Sequence, residues 1–337
     1  MKTVKNIYDF FLQNTVNPNE VTLLDFLKTI PGFESQDSIN MTLAMEYNRV
    51  CEKMAEDMLL IKTSIRQCTC LTESYMSMPK DSFTDPTMFE RKMDYGCYDF
   101  KYNGFALLRN HFKDSILPIV GINSKGDEDI GSAYYIGNNM FVTAAHCVSS
   151  LDKFKLLLHD TNSLNLKEVW LPKGWSIDEY DLAIILVEDT LDLKPFMCAD
   201  PLVLDDVLVI GYPPISGISP VQISEVSSVG YYSNCNQKAA VGQVVAETDS
   251  YMSKLEFFLI NARVKGGNSG GPVINKEGCV IGTVVQLPFD INGGSYSGRF
   301  DIMGFGICLP SKYTDSILNN PIRKSIYKDG DFYSYSK

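Results

Sequence analysis

The chain has 337 residues, nearly half of them apolar, enough for about two domains and a sizeable core. Its net charge is −11, of which residues 1–100 carry −5, so neither part reads as a basic arm for nucleic acid. No run of about 18 apolar residues is present. The apolar stretch after Met1–Lys5 is also broken by Asp9 and Gln13, so neither a membrane span nor a secretory signal is expected.

Residues 1–70 read as helical. Ile7, Phe10, Phe11 and Val16 keep rough helical spacing, and Asn17-Pro18-Asn19-Glu20 marks a break and restart. Val21, Leu23, Leu24, Phe26 and Leu27 form a second apolar stripe that Pro31-Gly32 ends. A longer stripe runs from Met41 through Leu43, Met45, Val50, Met54, Met58, Leu59 and Ile61 to Ile65. A small bundle burying its own stripes accounts for this region. The same stripes would suit an adaptor that binds a regulatory protein through residues 1–115. Residues 71–115 read as a connector packed on a neighbouring domain, because Pro79, Asp85-Pro86, Gly96 and Gly104 are turn chemistry.

From residue 116 the pattern changes to short β runs. Ile116–Ile122 is the first. Ala133–Ile136 and Met140–Thr143 flank Gly137-Asn138-Asn139, a hairpin signal. Further runs fall at 154–158, 168–171, 182–187, 207–210, 221–226, 242–246, 255–260, 280–285 and 304–309. Many short strands between turns indicate an antiparallel, barrel-like domain over residues 116–320. Ser311–Leu318 reads as a closing helix, and residues 321–337 as a loosely attached C-terminal tail.

Nine cysteines occur with no framework spacing. Cys68-Thr69-Cys70 is too tight for the usual zinc pattern, so reduced thiols and a cytoplasmic chain are expected, with no metal and no cofactor. A cluster of Cys51, Cys68, Cys70 and Cys97 stays open as the alternative.

Three stretches carry chemistry when taken together. They are Thr143-Ala144-Ala145-His146-Cys147, Tyr180-Asp181-Leu182-Ala183-Ile184-Ile185 and Gly267-Asn268-Ser269-Gly270-Gly271-Pro272. A serine hydroxyl is a weak nucleophile, so it needs a base beside it, and a carboxylate fixes that base's tautomer. Each stretch alone also reads as ordinary structure: a glycine-rich turn, a buried helix start, a charge at a strand edge. Of the three histidines, only His146 has such a context; His111 and His159 read as structural.

In this order the stretches resemble the trypsin-like (chymotrypsin-fold) serine peptidases, and within them the HtrA-like branch, over roughly residues 115–320. Val209-Ile210-Gly211-Tyr212-Pro213, Gly278-Cys279-Val280-Ile281-Gly282 and Gly304-Phe305-Gly306-Ile307 add to the resemblance. It implies two six-stranded β-barrels, with a break near Lys194–Pro201. His146 and Asp181 would sit on the first barrel and Ser269 on the second. It implies a serine endopeptidase with His146 as base, Asp181 as its orienting acid, Ser269 as nucleophile, and an oxyanion hole from the N–H groups of Gly267 and Ser269. By position, Arg263 would lie at the base of the specificity pocket and favour an acidic substrate side chain, unless it points to solvent or only supports the loop. Val284, Val285 and Gln286, with Phe305 or Ile307, would line its wall and favour a medium apolar one. In secreted animal relatives the cysteine after the catalytic histidine is disulfide-bonded; here no cysteine lies between Cys97 and Cys147 to pair with it. The C-terminal peptide-binding domain of HtrA proteins is not expected in this chain. Regulation, if it is built in, is expected in residues 1–115. The alternative is a pseudoprotease that uses the barrel groove and the helical region only to recruit partners.

Overall fold

The computed structural model describes all residues except 1–2, 14–20, 36–37, 64–70, 159–161, 175–179, 215–235, 249–254, 286–304 and 337. The expected strand at 221–226, the Asn17–Glu20 break, Ile65, Gln286, His159, Cys68 and Cys70 lie outside the described residues. The chain divides into two compact units, Met1–Gly104 and Phe105–Lys337.

The first unit is a helical cluster with two small hairpins. Helix α1 spans Thr3–Gln13 and buries Val4, Ile7, Tyr8 and Phe11, one face at helical spacing. Helix α2 (Leu23–Leu27) starts at a capping box in which Thr22 and Asp25 satisfy each other's backbone N–H. Strands β1 (Glu34–Ser35) and β2 (Ser38–Ile39) pair, and helix α3 (Met41–Glu56) follows with Asn40 as its N-cap. Strands β3 (Leu60–Lys62) and β4 (Tyr75–Ser77) form the second hairpin. Phe11, Leu23, Phe33, Cys51, Met54 and Tyr75 are among the residues at the centre of this unit's own core.

Two expectations fail here. The long methionine stripe is only half buried: Met54 is fully buried, whereas Met41, Met45 and Met58 are exposed. The connector is also helical, with α4 at Pro86–Tyr95 and α5 at Cys97–Asn103. Asp85 accepts a hydrogen bond from the Met88 N–H at 2.9 Å, Pro86 occupies the first helical position, and Gly96 closes the helix at φ +96°. What looked like turn chemistry is a complete set of helix boundaries.

The second unit opens with helix α6 (Phe105–Phe112) and continues as a mainly β structure with two closed antiparallel barrels. The first barrel takes its strands in spatial order β10-β7-β6-β5-β8-β18-β17-β9. These are β5 (Ile116–Asn123), β6 (Glu128–Gly137), β7 (Met140–Thr143), β8 (Leu151–Leu156), β9 (Leu166–Pro172), β10 (Ala183–Val187), β17 (Pro321–Asp329) and β18 (Phe332–Tyr335). The second barrel runs β11-β12-β13-β16-β15-β14. Its strands are β11 (Asp206–Gly211), β12 (Lys238–Thr248), β13 (Phe257–Ile260), β14 (Pro272–Asn275), β15 (Val280–Val284) and β16 (Gly306–Pro310). Val207, Val244, Phe258, Ile260, Val273 and Ile281 are among the residues that fill it. Helix α7 (His146–Ser149) follows β7, and helix α8 (Lys312–Asn319) follows β16.

The first barrel therefore has eight strands where six were expected. Strands β17 and β18 come from the supposed tail. Strand β17 pairs with β9 from Pro321↔Pro172 to Ser325↔Glu168, and β18 reaches β8 at Tyr333↔Phe154. Tyr333 and Tyr335 are buried, and the Ser334 hydroxyl donates to the Asp152 carbonyl at 3.0 Å. Asp329 pairs with Phe332 across Gly330, whose φ of +64° suits a two-residue hairpin loop.

Candidate active site

Pairing between β7 and β10 positions Asp181 and His146. Ala183 faces Thr143 and Ile184 faces Val142. Extending that register two residues past the ladder brings Asp181 level with Ala145, next to His146. Ala144 and Ala145 are both fully buried, so the chain turns into α7 with no bulk to push the histidine outward. Tyr180, also buried, anchors the other side by donating its hydroxyl to the Tyr313 carbonyl at 2.6 Å.

Asp181 holds His146 at two points. Its Oδ1 accepts the His146 backbone N–H at 2.8 Å, and its Oδ2 lies 2.7 Å from Nδ1. The carboxylate is 7% exposed and the imidazole 27%. Burial works against the charged form of this imidazole. Cys147 and the Asp181 carboxylate outweigh it and hold the His146 pKa well above the ordinary histidine value. Nδ1 therefore carries the proton shared with Asp181, and Nε2 is left for other work. The nearest sulfur, Cys147 Sγ, is 3.7 Å from Nε2 and 3.4 Å from the Ser269 carbonyl.

Ser269 stands in the loop between β13 and β14. Gly267 and Gly270 have φ of +88° and +79°, which side-chain-bearing residues rarely adopt. A Cβ on Gly270 would also fall 2.2 Å from the Ser132 carbonyl oxygen. The loop's N–H groups divide into two sets. Those of Asn268, Gly270 and Gly271 donate to the carbonyls of Lys265, Val284 and Asn268 at 3.0, 2.7 and 2.8 Å. Among the described residues, those of Gly267 and Ser269 have no acceptor, and neither does the Ser269 hydroxyl.

His146, Gly267 and Ser269 line one cavity of about 230 Å³. Val264, Val284, Val285, Phe305 and Ile307 supply apolar wall, and Asp129 and Lys265 add one charge of each sign. The structure thus brings together six of the sequence-derived site residues: His146, Asp181, Ser269, Gly267, Val284 and Val285. Arg263 is not among those lining the cavity and is exposed. Ala262 is buried in the second-barrel core and Val264 packs against that core, so alternation along the extended chain turns Arg263 outward. Lys265, which has the same parity as Arg263, lines the cleft nonetheless, so alternation along the chain gave no signal for it.

Residues 131–282 match the family described as a trypsin-like peptidase domain. A "Serine protease HtrA-like" protein of Staphylococcus epidermidis is 28% identical over 177 residues, covering 50% of this chain and 28% of that protein. "Serine protease Do-like HtrA" of Lactococcus lactis is 28% identical over 188 residues, covering 54% of this chain and 41% of its own length. Among solved structures, "HtrA-type protease AlgW with tripeptide" superposes with a TM-score of 0.45 at 20% identity, over 64% of this chain and 62% of the other. Over this region the chain is similar to trypsin-like peptidases of the HtrA-like branch. It spans less than half the length of these two curated relatives. Among the described residues no helix is long and apolar enough to cross a membrane.

Proposed function

We propose that this chain is a serine endopeptidase that cleaves proteins or peptides through an acyl-enzyme intermediate. The observation that carries the reading is the two-point grip of Asp181 on His146, in a cleft shared with Ser269 and two N–H groups without internal acceptors. Ser269 Oγ attacks the scissile carbonyl and its proton passes to His146 Nε2. Asp181 keeps Nδ1 protonated and stabilises the imidazolium without taking the proton itself. The oxyanion accepts from the N–H groups of Gly267 and Ser269, each such donor contributing ~3 kcal/mol to the transition state. His146 then protonates the leaving amine, and a water molecule repeats the sequence on the acyl-enzyme. The hydrogen bond from Ser269 Oγ to His146 Nε2 forms when substrate is bound, as catalytic contacts commonly tighten only in the complex.

The apolar wall of Val264, Val284, Val285 and Ile307 suits a medium apolar side chain at the cleavage position better than an acidic one. We read residues 1–104 as the regulatory part, since they form a compact unit with a core of their own. We read the chain as cytoplasmic from its cysteine usage, nine cysteines with no framework spacing.

A fluorophosphonate probe tests the activity on the purified chain, with and without residues 1–104. Labelling that disappears in Ser269→Ala is expected, together with a fall in turnover of roughly a millionfold. No Ser269-dependent labelling in either form would overturn the proposal. A change in labelling rate on removal of residues 1–104 is the expected mark of regulation.

A further inference from the structure

Ser132 lies on β6, in the first barrel, and is fully buried. The β6–β7 ladder begins at Ala133↔Thr143, so Ser132 is the first residue past it. Its main chain is there taken up by other partners. Its N–H donates to the Ser269 carbonyl at 2.8 Å, and its own carbonyl accepts from the Thr143 hydroxyl at 2.7 Å. Its side chain completes the set: Oγ donates to the Gly267 carbonyl at 2.7 Å and accepts from the Tyr212 N–H at 3.1 Å. A single serine thus bonds the carbonyl two residues before Ser269 and the carbonyl of Ser269 itself.

Room for this arrangement is cut to size. A Cβ on Gly211 would fall 2.8 Å from Ser132 Oγ, and one on Gly270 would fall 2.2 Å from the Ser132 carbonyl oxygen. Real side chains do not approach so closely, so both glycines are needed for Ser132 to reach the loop.

The consequence concerns peptide planes. Fixing the Gly267 carbonyl fixes the 267–268 plane, and fixing the Ser269 carbonyl fixes the 269–270 plane. The 268–269 plane, which carries the Ser269 N–H, lies between them, and its own Asn268 carbonyl accepts from the Gly271 N–H at 2.8 Å. A carbonyl that rotated toward Oγ of Ser269 would place an acceptor where an anion must be stabilised. With both carbonyls bonded to Ser132, the N–H groups of Gly267 and Ser269 are left without internal acceptors.

We propose that Ser132 is the positioning residue of the oxyanion site, clamping the Gly267 and Ser269 carbonyls from the first barrel so that the loop's two unpaired N–H groups are pre-set for the transition state. The proposal rests on the peptidase reading above. Preorganised donors act on charge that develops in the transition state, so the clamp serves the chemical step and not ground-state binding.

The test uses the full chain and the fluorophosphonate probe, whose phosphoryl oxygen occupies the same site as the substrate oxyanion. Labelling is resolved into a maximal rate, kinact, and a half-saturating concentration, KI. In Ser132→Ala, kinact should fall about tenfold or more with KI within about twofold. Thr143→Val removes the hydrogen bond on the other side of Ser132 without touching the loop carbonyls. Its melting temperature should fall while kinact stays within about twofold of the wild type. Should Ser132→Ala fail to fold, Ser132→Cys keeps the side-chain size with a weaker donor and must show a reduced kinact. A folded Ser132 variant with unchanged kinact, or a loss that appears only in KI, overturns the clamp alone. An unlabelled wild-type chain overturns the peptidase reading and the clamp with it.

Discussion

His146 and Asp181 stand on two paired strands and are bonded directly to each other, at 2.8 Å through the backbone N–H and 2.7 Å through the ring. Ser269 stands on a loop, and its position comes from glycine conformations and from hydrogen bonds to Ser132, Lys265 and Val284. The Asp181–His146 half of the candidate site is thus fixed by strand register, the same device that holds the rest of the barrel. The Ser269 half is fixed by backbone groups that must be placed one by one. Register tolerates changes of side chain; a loop that depends on positive φ and on close packing around Gly270 does not. Substitutions in the two halves should therefore fail differently, the first in protonation and the second in geometry.

Asp181→Asn probes the first half and should have the largest effect after the loss of Ser269 itself. The amide can still bond Nδ1 but favours the wrong imidazole tautomer, so turnover should fall by about ten-thousandfold, or ~5 kcal/mol of barrier. The fold should persist, because the carbonyl oxygen of the introduced amide can still accept the His146 backbone N–H. Measured kcat within about tenfold of the wild type would show that the two-point grip is structural and that His146 is not the base.

The stretches carrying His146, Asp181 and Ser269 could be singled out from sequence because each is contiguous and its proposed chemistry dictates residue type; the structure sets His146 and Ser269 on one cavity and bonds Asp181 to His146. The strand run of 116–143 and the turn at Asn138-Asn139, both residues at positive φ, were legible for the same reason. Whether Arg263 enters the pocket or faces solvent could not be decided from sequence, because position in a motif says nothing of which way an extended chain turns its side chains; it is exposed. Ser132 could not be found at all: a serine inside a strand has no local mark, and its partners lie 135 residues or more away at Gly267 and Ser269. The helix at Pro86–Tyr95 was missed although Asp85, Pro86 and Gly96 announce its ends, since the same residues also announce turns. The C-terminal hairpin was missed because β17 is mostly exposed and offers no clean alternation.

That hairpin gives the next prediction, in the framework that carries the Asp181–His146 half. A chain ending at Asn320 loses β17 and β18, withdrawing Tyr333 and Tyr335 from the core and leaving β8 and β9 each with one open edge. Loss of two buried aromatics corresponds to at least about 3 kcal/mol. Urea unfolding followed by circular dichroism should show the unfolding free energy drop by that amount, with a lower midpoint, or the first barrel fail to fold. A truncated chain of unchanged stability would mean that the residues closing the barrel are dispensable to it.

The smallest expected effect lies where the two halves meet. Cys147 Sγ is 3.7 Å from His146 Nε2 and 3.4 Å from the Ser269 carbonyl. Cys147 is one of the influences that raise the His146 pKa against the opposing effect of burial. A base must be neutral to act, so labelling of Ser269 should rise with pH through that elevated value, above the ordinary histidine range near 6.5. Cys147→Ser removes the sulfur and should move this acid limb to lower pH, with the plateau rate little changed. The linked stability follows the same sign. The favourable energy of the charged histidine is fully present below the unfolded-state pKa and is lost as pH rises through the folded-state one, so Cys147→Ser should lose stability chiefly on the acid side. An acid limb that stays in place while the plateau falls would assign Cys147 to the geometry of the nucleophile loop, through its contact with the Ser269 carbonyl, and not to the protonation of the base.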